Sequence, residues 1–284
     1  MLLPLLIIIL FQYGPMVGLQ IAFRDFRARD GIWGSPWVGL KHLKNFFGSY
    51  QFARLLGNTL GISLYALVAG FPIPILLAII VNECASKRLQ RSVQMVTFAP
   101  HFISTVVMAN IVLMFLAVRG GLVNNILAAL GGIRVDFMAK PEYFKTIYVW
   151  SGIWQGMGYD SVIFIAALSG IDPALYEAAT VDGASKFRKI LHIDLPGIAP
   201  TIIILLIMQC GRIMNVGSEK VLLLQNGLNM PASDIISTYV YRIGLEQVQY
   251  SFSTAVGMFN SVINAVLLVA VNQVARRISE TSLW

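Results

Sequence analysis

Six polar side chains stand in long, mainly apolar stretches, and they are the groups best placed to act on a ligand. Gln155, Tyr159 and Asp160 fall together, beside Gly156 and Gly158, whose missing side chains leave room for one. Gln209, Arg212 and Asn215 are spaced i, i+3 and i+6, which a helix would put roughly on one face. Amides, a phenol, a carboxylate and a guanidinium there offer hydrogen bonds to a polar solute rather than a reaction. Gln and Asn in apolar helices also act as glue between helices. A buried ion is expensive and defaults to function, although Asp160 and Arg212 could instead pair with each other and serve packing. His101 reads as a satisfied core histidine. No second His, Cys or carboxylate stands at metal-ligand spacing, so no metal is predicted, and no acid–base cluster marks a catalytic residue. With no G-x-x-x-x-G-K-[ST] loop, the chain is expected to bind no nucleotide or other cofactor itself.

The elements that hold these groups must be membrane-spanning helices. Only 12% of the residues are charged and 57% are hydrophobic, where soluble domains carry roughly 25% charge. Met1–Phe23, Leu55–Asn82 and Gln247–Ala275 hold no charged residue, and Ser92–Val118 holds none apart from His101. About 20 residues of helix cross the ~30 Å hydrocarbon core. With Phe144–Gly170, which carries Asp160 inside it and Lys145 at its edge, and Pro196–Gly217, which carries Arg212, the reading is all-α with six spans: 1–23, 57–82, 93–117, 144–170, 196–217 and 251–275. No linker divides them, so residues 1–284 form one membrane domain. The first stretch lacks a basic start and a cleavage site and is too long for the apolar core of a signal peptide; it is read as a span whose cytoplasmic lead-in precedes residue 1. Phe71-Pro-Ile-Pro and Ala99-Pro-His should kink the second and third spans. Val38–Gly57 and Gly121–Leu130 are expected to lie along the membrane surface.

An even number of spans puts both termini on one side. With them in the cytoplasm, the inner loops hold 8 Lys and Arg in 43 residues and the outer loops 11 in 85, so basic density favours this orientation although the total does not. The net charge of +7 is scattered rather than striped, which argues against a nucleic-acid partner. Cys84 and Cys210 imply no disulfide framework.

The inner loop 171–195 is unusual. Asp172 is a candidate N-cap with Pro173 at the first helical position, and Glu177-Ala-Ala favours helix over 173–181. Gly183 should break it, Ala184–His192 can form a second helix, and Pro196 should start the fifth span. Ala178, Ala179, Gly183 and Ala184 would let another backbone approach closely, and Phe187 supplies a bulky anchor.

The spacing E-A-A-x3-G-x9-I-x-L-P fits Glu177, Ala178, Ala179, Gly183, Ile193, Leu195 and Pro196 at every position. It resembles the EAA loop of ABC importer permeases, the coupling helix that docks in a cleft of the cytoplasmic ATPase. Phe11-Gln-Tyr-Gly-Pro-Met, Val38-Gly-Leu-Lys-His-Leu, Asn58-Thr-Leu, Ser233-Asp-Ile-Ile-Ser-Thr-Tyr-Val-Tyr-Arg-Ile-Gly-Leu and Ser282-Leu-Trp extend the likeness along the chain. It is similar to the maltose-permease-like type I importers, and within them to permeases for complex oligo- and polysaccharides, alginate-type importers included. The resemblance implies a multi-pass protein of the bacterial cytoplasmic membrane. It implies a second homologous permease, two ABC ATPases carrying ATP and Mg, and an extracytoplasmic solute-binding protein as partners. Asp182, Ala184 and Phe187 join the motif residues in the expected ATPase-coupling surface. Gln155, Tyr159, Asp160, Gln209, Arg212 and Asn215 fall where such permeases line their central cavity, and aromatic faces with amides suit a pyranose. Asp160 departs from the Asn expected in this branch. Outer loops with 11 basic and 7 acidic residues, together with Arg212, lean towards an acidic saccharide. A permease for another solute class and a secondary transporter are the alternatives; the latter usually shows repeats and charged ion sites on broken helices, neither evident here. A membrane enzyme would need a catalytic cluster, which the sequence lacks.

Overall fold

Long uncharged runs leave the backbone in lipid one way to satisfy its own N–H and C=O groups, and the chain takes it. The computed structural model describes residues 2–278. Met1 and residues 279–284 lie outside the described residues, and with them the Ser282-Leu-Trp match and the end of segment 276–284. Among the described residues there are helices and no strand, with one isolated bridge between Arg24 and Trp37. The long helices are α1 (Leu3–Phe23), α2 (Phe52–Asn82), α3 (Lys87–Phe102), α4 (Thr105–Leu116), α5 (Pro141–Ser169), α6 (Pro173–Val181), α7 (Lys186–Cys210) and α8 (Tyr250–Ile278). By length and hydropathy α1, α2, α7 and α8 can each cross a bilayer. Counting α3 with α4 and α5 with α6 as bent pairs brings the total to six.

Proline sets where these helices deviate. In α2 the turn Ala66–Gly70 widens to π geometry just before Pro72, so the helix absorbs Pro72 and Pro74 and continues. The third span was expected to be one kinked helix over 93–117. Instead, α3 tightens at Ala99–Phe102 around Pro100 and α4 leaves it at 101°, with Ser104 capping α4 by accepting from the Val107 amide at 3.4 Å. The fifth expected span, α7, differs at both ends. It starts at Lys186 rather than Pro196, because a π turn over Ile190–Asp194 accommodates the donor that Pro196 lacks. It ends at Cys210 rather than Gly217, and Gly211–Met214 form turns. Arg212 and Asn215 are therefore off the helix, and the single-face spacing expected for them does not hold.

α5 is the central post, packed along α2, α3 and α7. A Cβ on Gly158 would lie 2.2 Å from the Thr97 carbonyl oxygen, so only glycine lets α3 cross this closely. Gly158 is buried in that crossing and leaves no room for a ligand, contrary to the expectation from sequence. Segment 218–246, read as an outer loop, folds into short helices at Ser218–Leu224 and Ile236–Tyr241. Its fully buried Asp234 is held by Arg242 at 2.7 Å and Arg54 at 3.7 Å, and accepts from the Thr238 hydroxyl at 3.1 Å. Asn58 donates to the carbonyls of Pro231 and Asp234, and Thr59 Oγ1 accepts from the Ile236 amide. Two of the resemblance-bearing stretches are thus one docking joint. Helix Lys41–Phe47 forms within 38–57 and buries Phe46 among Phe52, Phe252 and Phe259. Helix Leu122–Ala129 forms within 121–130 and is pinned by buried Asn124.

Candidate functional site

Gln155, Tyr159, Asp160, Gln209, Arg212 and Asn215 all line one cavity of about 910 Å³. The break at Gly211 turns Arg212 and Asn215 back towards α5, so two separate stretches of sequence face one space. Their roles within the chain differ. Gln155 donates to the Ile103 carbonyl at 2.8 Å and so ties α5 to the bend between α3 and α4. Asn215 Oδ1 accepts from Asn260 at 3.2 Å and Asn264 at 3.0 Å on α8, and among the described residues its own N–H groups have no acceptor. Tyr159 stacks on His101 with ring centroids 3.9 Å apart and planes 2° apart. His101 is exposed on the chain, not a core histidine, because the bend after Pro100 turns it onto the Tyr159 ring. Asp160 and Arg212 are exposed too, and no ion pair within 4.0 Å joins them. The packing role for that pair has no support in this arrangement.

Lys220 was missed. It sat in a connecting segment and was counted only as one of the outer cations, yet it is 8% exposed and lines the same cavity. Its Nζ donates to the Tyr148 carbonyl at 2.6 Å and lies 4.5 Å from the centroid of that ring. Burial pushes its ammonium down to about 8. Asn260 and Asn264 were missed as well; their i, i+4 spacing in an uncharged span was the available signal.

At the other end of α5, loop 171–195 has the local structure its residues dictate. The Asp172 carboxylate accepts from the Ala174 amide at 2.9 Å ahead of α6. Gly183 has φ +70°, its amide donates to Thr180 O at 3.1 Å, and the Ala184 amide reaches back to Ala179 O at 2.9 Å. These two bonds make a Schellman end, which accounts for the Ala-x3-Gly part of the spacing. Glu177, Ala178, Asp182, Gly183, Phe187 and Pro196 are exposed, whereas Ala179, Ala184, Ile193 and Leu195 are half-buried. Tyr176 donates its hydroxyl to fully buried Asp194, fastening α6 to the base of α7. Burial raises the Tyr176 hydroxyl well above its ordinary value, and the bond to Asp194 adds to this. Glu177 makes no ion pair with the described residues.

Residues 70–280 match the family model described as binding-protein-dependent transport system inner membrane component. The chain is 40% identical over 276 residues to the polygalacturonan/rhamnogalacturonan transport system permease protein YteP of Bacillus subtilis (strain 168), covering 97% of this chain and 86% of YteP. It is similar to a chain in the crystal structure of a bacterial ABC transporter that imports the acidic polysaccharide alginate, with a TM-score of 0.92, 44% identity and coverage of 98% and 94%. A second structure, of a bacterial alginate ABC transporter in complex with its alginate pentasaccharide-bound periplasmic protein, gives 0.92, 43%, 100% and 95%. The all-helical bundle, with four to six candidate spans, and these matches agree, and the chain belongs to the binding-protein-dependent transport system inner membrane component family, a multi-pass transport component and not an enzyme.

Proposed function

We propose that this chain is one permease subunit of an ATP-driven importer for oligosaccharides derived from acidic polysaccharides. The observation that carries the reading is the convergence of all six polar residues on one cavity with aromatic rings and two cations, Arg212 and Lys220. Saccharide hydroxyls need hydrogen-bonding partners when lipid surrounds the path, and these side chains supply them. The named substrates of YteP and of the alginate transporter are acidic polysaccharides, which supports the class. Both termini lie in the cytoplasm in this reading, so α6 faces the cytoplasm and Glu177–Pro196 couples to two ABC ATPases that hold ATP and Mg. The chain itself binds no cofactor. A second homologous permease closes the path, and an extracytoplasmic binding protein delivers the sugar, as the periplasmic protein does in the alginate complex.

The test is uptake into proteoliposomes holding this chain, its partner permease and the ATPases, supplied with binding protein and a galacturonate tetramer. ATP-dependent uptake is expected, with hydrolysis stimulated several-fold by the loaded binding protein. Uptake driven by an ion gradient without ATP would make the chain a secondary transporter. Stimulation by neutral sugars alone would assign another solute class.

A further inference from the structure

We propose that Lys220 is a carboxylate-binding station in the cavity, the residue by which this permease distinguishes uronate units from neutral sugars. The inference rests on the acidic-saccharide reading above. Lys220 is a buried cation without a counter-ion: among the described residues no carboxylate lies within 4.0 Å of its Nζ. An ammonium has three donors, and one is used on the Tyr148 carbonyl. That carbonyl also accepts from the Ser151 hydroxyl at 3.2 Å, so the lysine is not needed to satisfy it. Lys220 borders the cavity, packed close against α5. Gly152 and Gly217 line the space beside Lys220, and a Cβ on Gly152 would lie 3.0 Å from Nζ. The Tyr148 ring offers its face to one side of the ammonium, so that side is shielded from water.

Position completes the argument. Asp160, the acidic side chain of the cavity wall, stands twelve residues along α5 from Tyr148, about 18 Å at helical rise. Lys220 therefore meets an incoming carboxylate in a part of the cavity where no acid competes for it. Arg212 lines the same cavity and supplies a second cation. A buried unpaired lysine weakens the fold, and a carboxylate ligand gives it the partner the chain does not.

The experiment compares wild type, Lys220→Met and Lys220→Arg in proteoliposomes of the full complex, with a galacturonate tetramer and its carboxyl-reduced, neutral counterpart. Lys220→Met is expected to lower uptake of the acidic tetramer about tenfold more than uptake of the neutral one, the scale of one charged hydrogen bond. Lys220→Arg should restore most of the loss. Thermal unfolding of the purified complex should show Lys220→Met no less stable than wild type. Equal losses on both sugars, accompanied by a lower melting temperature, would make Lys220 a packing strut and overturn the proposal. Unchanged acidic uptake in Lys220→Met would overturn it while leaving the acidic-saccharide reading intact. Wild type that carries only the neutral tetramer would overturn both.

Discussion

Arg212 and Lys220 are cations on one cavity with different energetics. Arg212 is exposed on the isolated chain, and its side chain makes no hydrogen bond or ion pair with the described residues. Arg212→Gln should therefore leave the melting temperature of the complex within about 2 °C, since surface substitutions free of contacts change little. It should weaken transport of acidic saccharides by roughly 1.5–3 kcal/mol more than neutral ones. Lower stability in Arg212→Gln, restored by Asp160→Asn, would show instead that the two pair in the assembled state. Lys220 carries an opposite stability signature. Its folded value of about 8 lies below the 10.5 of a free lysine. Between these values the unfolded chain holds a proton that the folded chain does not, so this group's contribution to stability rises with pH across that window. Thermal scans of wild type against Lys220→Met at pH 7.5 and pH 9.5 should show the melting-temperature gap, with the variant ahead, narrowing at the higher pH. A constant gap would mean the ammonium is not desolvated.

Elements were legible wherever one local signal decided the geometry. Asp172-Pro173 started α6 and Gly183 ended it as read, because a cap, a fixed φ and a left-handed turn are properties of single residues. Prolines were harder to place: Pro196 was expected to begin a helix that in fact passes through it from Lys186, since widening by one π turn removes the clash. Long-range contacts left no sequence signal. Gly158 looked like space for a ligand and is instead the contact with the Thr97–Phe98 backbone. Gly158→Ala should force α3 and α5 apart and lower the yield and melting temperature of the folded complex, by about 1–3 kcal/mol or more for an overpacked contact. Gly183 offers the contrasting case. A Cβ there meets nothing within 4 Å, and Asp tolerates the left-handed conformation better than most residues. Gly183→Asp should therefore insert and fold normally but lose the co-purifying ATPase and ATP-dependent uptake, as should Glu177→Arg through its reversed charge. Retained coupling in either variant would remove the ATPase-docking role from α6.

The whole molecule presents a polar wall that lipid cannot satisfy. Tyr159, Asp160, Gln209, Arg212 and Asn215 are exposed on a single chain although they sit among apolar helices. In a bilayer, ions and amides at that depth must face protein or a water-filled space. The spans also bury little of themselves: 6% of the apolar window of α1 and 17% of those of α7 and α8 lie inside the chain. In the proposed assembly a second permease subunit covers this polar wall, and lipid covers the apolar outward faces of the spans. An oligosaccharide has distinct reducing and non-reducing ends, and a two-fold symmetric pair would present every side chain to it twice. In the proposed assembly a homologous but different partner would supply a second wall with its own polar set. Co-expression with the ATPases and a homologous permease should yield a complex with one copy of this chain and one of the partner, read by native mass spectrometry, and only that complex should show substrate-stimulated ATP hydrolysis. An active complex containing two copies of this chain and no other permease would establish a homodimer. The cavity would then be bounded by two identical walls, with two copies of Arg212 and of Lys220 bordering one path.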